Sequence, residues 1–155
     1  MNEQATYLGQ DGTTWAHTLE HQDPVLRRLA VYALGEIGPQ AHAVVPALSV
    51  VLQDPVNWVR VWAAAALAKV TADRRAVAML VAEMHAPQAF VRSLVAWHLG
   101  RLGADFPGIE AGVNALQQLC DDDDPSVQEE ACVALQALQG KGSLPSGTAF
   151  LSSQR

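Results

Sequence analysis

Four segments of this chain spell out one ten-residue phrase. It reads Leu26-Arg27-Arg28-Leu29-Ala30-Val31-Tyr32-Ala33-Leu34-Gly35, and then Val59-Arg60-Val61-Trp62-Ala63-Ala64-Ala65-Ala66-Leu67-Ala68. It returns as Val91-Arg92-Ser93-Leu94-Val95-Ala96-Trp97-His98-Leu99-Gly100 and as Val127-Gln128-Glu129-Glu130-Ala131-Cys132-Val133-Ala134-Leu135-Gln136. The copies begin 33, 32 and 36 residues apart. A near-constant period of that size is the mark of stacked repeats, each burying an apolar face that it cannot bury alone.

Within the phrase, the first, fifth, eighth and ninth places are apolar, as in Leu26, Ala30, Ala33 and Leu34 or Val59, Ala63, Ala66 and Leu67. That spacing is one face of a helix with 3.6 residues per turn. Each copy is therefore expected to be the second, or B, helix of a pair. First, or A, helices are expected over about 14–21, 41–53, 73–85 and 109–120. Asp23-Pro24, Asp54-Pro55 and Asp124-Pro125 mark the A-to-B turns, the Asp capping and the Pro suiting a first helical turn. Ala86-Pro87 holds the same place without the acid, and Gly38-Pro39 and Gly103 close B helices. Asp73 is a candidate N-cap of the third A helix. The expected fold is all-α, a right-handed α-solenoid of about four helix pairs. Its repeats run over about 13–38, 39–71, 72–103 and 104–139, forming one domain over 1–139. Residues 140–155 are rich in Gly and Ser and predict a mobile tail, with docking of Phe150 and Leu151 on the body or on a partner as the alternative.

Composition narrows the class. Half of the residues are hydrophobic but only 6% are aromatic, helix-forming stock with enough apolar content for a core. No uncharged apolar run is long enough to cross a bilayer. The start, Met1-Asn2-Glu3-Gln4, lacks a basic region followed by an apolar stretch, so a cytoplasmic protein is expected. The formal net charge of −6 weighs against nucleic acid as partner. Cys120 and Cys132 fall in adjacent helices. They read as reduced core thiols, with a regulatory disulfide as the alternative.

The phrase Asp-Pro…Val-Arg-x-x-Ala-Ala-x-Ala-Leu-Gly resembles the HEAT-repeat signature, and more narrowly the short prokaryotic HEAT-like repeats of phycobilisome lyases. The likeness covers about residues 13–139. It implies a ladder between the turn Asp and the Arg that opens the B helix, here Asp23 with Arg27 and Asp54 with Arg60. Arg92 keeps the Arg while its turn lacks the Asp, and Gln128 replaces the Arg in the last copy, though Asp122–Asp124 supply acids there. It also implies a concave B-helix face that binds a protein partner.

On that face the third, fourth, seventh and eleventh places of the phrase are expected to be exposed. They would align Tyr32, Trp62 and Trp97 with Leu29, Val61 and Leu94 in an apolar strip, rimmed by Arg28, Lys69 and Arg101. Large exposed aromatics beside arginine are the composition of protein-binding hot spots. A fourth-place residue can also tuck against a neighbouring repeat, so Trp62 stays open between groove and core. The last copy is polar at these places, as suits an end cap. Asp121–Asp124 read as a solvated cap, and His98, at a normally small place, as a buried structural histidine.

The reading is a non-catalytic adaptor, scaffold or regulatory module that binds a protein and needs no cofactor, with self-association through the long groove left open. The alternative is a bilin lyase-like or chromophore-handling protein, in which arginines would meet tetrapyrrole propionates. His17 and His21 share a helix spacing but lack a third ligand, and no Gly-rich phosphate loop, nucleophile elbow or Cys-x-x-Cys is present.

Overall fold

The computed structural model describes residues 5–140. An antiparallel hairpin, β1 (Thr6–Tyr7) and β2 (Gln10–Asp11), opens the fold. Eight α-helices follow among the described residues: α1 (Gly12–Thr18), α2 (Pro24–Ile37), α3 (Val45–Val51), α4 (Asn57–Thr71), α5 (Arg75–Ala82), α6 (Ala89–Leu102), α7 (Ile109–Leu119) and α8 (Pro125–Leu138). They pair as α1/α2, α3/α4, α5/α6 and α7/α8, and the pairs stack as an all-α solenoid. The expected tail lies outside the described residues apart from Gly140, as do Phe150 and Leu151.

Local chemistry sets the boundaries. Asp23 and Asp124 cap α2 and α8, accepting from the backbone N–H of Val25 at 2.8 Å and of Ser126 at 2.9 Å. Asp11 does the same for α1 through Thr14 at 2.8 Å. Gly38 and Gly103 end α2 and α6 with φ of 69° and 90°. Asp73 accepts from the Arg75 N–H at 2.8 Å, one residue ahead of the N-cap of α5.

The second A element differs from the single helix expected over 41–53. It is a 3₁₀ segment, Gly38–Val44, followed by α3. Pro46 explains the break: it has no N–H to give to the preceding turn, so a continuous α-helix stops before it and a new one starts around it. The hairpin is also new relative to the sequence reading. Its two central residues, Leu8 and Gly9, both have positive φ, 51° and 75°.

The core runs between the A and B layers. Leu34, Leu48, Leu80, Leu99 and Leu116 are fully buried, joined by Val59, Val91 and Val127 from the first place of the phrase. The B helices pack with unequal closeness. α2 lies tight against α4 and α6 against α8, whereas α4 and α6 stand further apart.

Candidate functional site

Two features run across the repeats: a ladder of ion pairs at the turn edge and a row of aromatic rings along the B helices. The ladder is built from the Arg at the second place of the first three phrases. Arg27 Nη1 donates to the His21 carbonyl, Arg60 Nη1 to the Asp54 carbonyl and Arg92 Nη1 to the Ala86 carbonyl, at 2.9, 2.8 and 2.8 Å. Each guanidinium then forks onto a carboxylate of the next pair. Arg27 Nε meets Asp54 at 2.6 Å, Arg60 Nε meets Glu83 at 2.5 Å and Arg92 Nε meets Asp122 at 2.7 Å.

The pairing implied by the resemblance, Asp23 with Arg27 and Asp54 with Arg60, is therefore shifted by one repeat. Asp23 caps its own helix, while Asp54 takes Arg27 and also caps Val56 N–H at 2.9 Å. The third turn has no acid, and Glu83 at the end of α5 supplies one. Gln128 keeps only the intra-repeat half of the rung, donating to the Asp122 carbonyl at 2.5 Å. It stands in the last described pair. Asp122 is thus not part of a solvated cap: its carboxylate is buried on Arg92, whose hydrogen bonds hold its pKa below the ordinary carboxylate range. A cleft of about 370 Å³ beside Asp54, Arg60 and Glu83 has all three of these charges already paired.

The aromatic row is continuous from the hairpin to α6. Tyr7 meets Tyr32 edge-on at 5.7 Å between ring centroids, Tyr32 meets Trp62 at 5.8 Å, and Trp62 meets Trp97 at 6.0 Å. The His98 imidazole stands edge-on to both tryptophans, at 4.6 and 4.7 Å. Three cations lie over the rings: Arg28 over Trp62 at 5.5 Å, Lys69 over Tyr32 at 5.8 Å and Arg101 over Trp97 at 4.8 Å. Lys69 is also ion-paired with Glu36 of the preceding pair. Arg28 and Arg101 have no carboxylate partner among the described residues.

Of the nine residues expected to form the strip, Tyr32, Trp97, Leu29 and Arg28 are half-buried, and Lys69 and Arg101 are exposed. Val61, Leu94 and Trp62 are buried, at 0, 2 and 8% exposure, so they belong to the core and present no open surface. The reason is the stacking. At 3.6 residues per turn the third place of the phrase turns toward the following pair and the fourth toward the preceding one. Arg28 on Trp62 is such a third-on-fourth contact. In an inner repeat both flanks are covered: the eleventh-place Lys69 and Arg101 are exposed and the seventh-place Trp97 is half-buried, while the seventh-place Ala65 is buried.

Tyr7 was absent from the sequence reading. It has no counterpart in the phrase, and the hairpin that carries it covers the preceding side of α2 where a repeat would otherwise sit. Tyr7 also accepts the Trp15 indole N–H on its carbonyl at 3.1 Å. Burial comes first, then Glu36, in raising the Tyr32 phenol pKa. Burial, then the charges of Lys69 and Arg101, push His98 from 6.5 down to about 3, so the imidazole is neutral. Among the described residues its Nε2 has no hydrogen-bond partner, nor have Ser93 Oγ and Glu130 Oε1.

The core-thiol reading fits Cys120, which packs against the core, and not Cys132. Cys120 is half-buried and Cys132 exposed, both reduced. His17 and His21 are both exposed, and His21 Nδ1 accepts from the Asp23 N–H at 3.0 Å. Among the described residues no group of three His, Cys, Asp or Glu side chains is placed to hold a metal ion, and no helix is long and apolar enough to cross a membrane.

No curated protein matches the chain. Among solved structures it is similar to an engineered protein from the Northeast Structural Genomics Consortium, with a TM-score of 0.58 and 23% identity over 87% of this chain. The chain covers 65% of that structure's length, and at this identity the likeness speaks for the fold alone. Neither comparison bears on the narrower likeness to phycobilisome-lyase repeats. Residues 13–100, more than half of the chain, match the family described as HEAT repeats. Helix pairs in register, an arginine rung carried from each pair to the next, and that match lead to one assignment: the chain belongs to the HEAT-repeat family.

Proposed function

We propose that the protein is a non-catalytic interaction module that docks an acidic segment of a partner protein along the B-helix face, as part of an adaptor, scaffold or regulatory assembly. The observation that carries this reading is the pair Arg28 and Arg101. Each lies over a tryptophan ring, and neither has a carboxylate to neutralise it among the described residues. An arginine held flat on an aromatic face gives up little side-chain freedom when it forks onto a carboxylate, because the ring has already restricted it. Between them, the half-buried rings of Tyr32 and Trp97 offer apolar contact, and Lys69 contributes a third cation beside Glu36. The chain as a whole is acidic, with a net charge of −6, so a basic strip here selects a partner by contrast with the rest of the surface. The expected occupant is an extended, Glu- or Asp-bearing peptide with interspersed apolar side chains.

The test is fluorescence anisotropy with a labelled peptide of alternating Glu and Leu, beside its Gln and Leu counterpart. The Glu peptide is expected to bind in a salt-sensitive way. Double charge reversal, Arg28→Glu with Arg101→Glu, is expected to weaken it at least about tenfold, which is about 1.4 kcal/mol. Arg101 is exposed and Arg28 half-buried, so circular dichroism should show the fold unchanged. Equal binding of both peptides, or binding indifferent to the double reversal, would overturn the reading.

A further inference from the structure

The chain has two cysteines in all, and they meet. Cys120 closes α7 and Cys132 lies in the middle of α8, twelve residues on, with Sγ atoms 3.0 Å apart. Thiols buried as small apolar side chains have no need of the surface, yet Cys132 is exposed and Cys120 only half-buried. Their place in the repeat explains the exposure. Cys132 is the sixth residue of its phrase, a place that turns toward the following pair. Val31, Ala64 and Ala96 occupy it in the other copies and are fully covered there. Past α8 no further pair follows among the described residues, and the sixth place lies open beside exposed Glu129 and Gln136.

We propose that Cys120 and Cys132 form a modification site, a dithiol that closes to an intramolecular disulfide on reaction with a peroxide. About 1 Å separates the present contact from the ~2.05 Å of a disulfide bond. The exposed Cys132 sulfur attacks the peroxide first. Its O–O bond breaks, one oxygen leaves as water and Cys132 becomes a sulfenic acid. The Cys120 sulfur then displaces that hydroxyl as a second water, its own proton going to the leaving oxygen. In sum, two S–H bonds and one O–O bond break, and one S–S and two O–H bonds form. The sulfur pair loses two electrons and the peroxide gains them. Burial, then the hydrogen bond with Cys132, pushes the Cys120 thiol up to about 12, in keeping with Cys132 as the first to react.

The bond would clasp the last helix pair. It closes a loop that contains Asp122, the acceptor of the Arg92 rung, and Asp124, the cap of α8. Among the described residues this pair is flanked by a neighbour on one side only, and such a pair opens more readily than an inner one in a stacked array, so a staple here acts against that opening.

The experiment is intact-mass analysis and thiol alkylation of the full chain before and after dilute hydrogen peroxide. The expected product has lost two hydrogens, accepts no alkylating groups and regains two on treatment with dithiothreitol. Amide exchange in α7 and α8 is expected to slow in that product while α2 and α4 stay as they were. Cys120→Ser is expected to abolish the two-hydrogen loss and leave Cys132 oxidised past the sulfenic stage. The proposal is overturned if the wild type gives sulfinic or sulfonic Cys132 with Cys120 still alkylatable. Oxidation only to disulfide-linked dimers would overturn it equally.

Discussion

The seam between α2 and α4 and the seam between α4 and α6 join successive B helices of similar sequence, yet they are packed in opposite ways. At the first, Gly35 lies so close to α4 that an added Cβ would sit 3.3 Å from the Cα and Cβ of Ala66. The seam between α6 and α8 repeats this more tightly, with a Cβ on Gly100 falling 2.7 Å from Ala134 Cβ and 2.9 Å from its Cα. Both are contacts of the tenth place of one phrase with the eighth of the next. At the middle seam the tenth place is Ala68 and the eighth is His98. The helices stand apart there, and the His98 ring, Trp62 and Trp97 fill the opening. One large-for-small exchange in a repeated contact, His98 where the other copies have Ala, thus decides how near two helices come. The widest seam is also where the two tryptophans meet at His98 and where Arg101 lies over Trp97, while Arg28 reaches Trp62 from the α2 side.

The contrast can be broken at its centre. Trp62→Ala removes the largest buried side chain of the open seam and should destabilise the fold by about 3–5 kcal/mol in chemical denaturation. A loss under about 1 kcal/mol would mean that the seam collapses and that the ring is not structural.

Gly100→Ala probes the tightest seam. With the new methyl against backbone as well as side chain, about 1–3 kcal/mol should be lost. Gly35→Ala should cost less, since its neighbour needs to give only a few tenths of an ångström. Equal losses at the two glycines would erase the ranking that the distances imply.

His98→Leu sharpens the comparison in acid. The folded protein holds the His98 pKa at about 3, against 6.5 for the free side chain. Between those values the unfolded chain binds a proton that the folded chain does not, so stability falls as pH drops below about 6.5 and continues to fall toward about 3. At neutral pH the swap, of similar volume, should cost less than about 1.5 kcal/mol. As pH is lowered the wild type should lose stability faster than the variant. The measurement belongs above about pH 5: Glu130, whose carboxyl is raised by burial, then by Glu129, acts in the opposite sense near its ordinary 4.5. A wild type with no steeper acid slope than the Leu variant would show that His98 is solvated when folded.

Much of this was legible in the chain. The period, the Asp-Pro turns and the apolar places gave the helix pairs and most of their boundaries, because caps and amphipathic spacing act within a few residues of the chain. The candidate site was legible only in part. Of the places expected to face outward, Lys69 and Arg101 are exposed and Tyr32 and Trp97 half-buried. Val61 and Leu94 are buried against that expectation, and Trp62, left open between groove and core, falls in the core. A helical wheel distinguishes the face against its own A helix from everything else, and says nothing of flanks that become interfaces when pairs stack. The same limit hid the true ladder partners: Arg60 finds Glu83 rather than its own turn acid because its side chain crosses to the next pair.

The sequence by itself determined that the protein is a repeated, stacked helical array, and which residues begin and end its B helices, since those choices rest on local hydrogen bonding and periodicity. Only the tertiary structure decided which arginines are ion-paired and which lie on tryptophan with no carboxylate among the described residues, where the two cysteines meet, and that Tyr7 extends the aromatic row. Those outcomes depend on the distance between neighbouring pairs. That distance is set by Gly35, Gly100 and His98 acting on residues about a full repeat away.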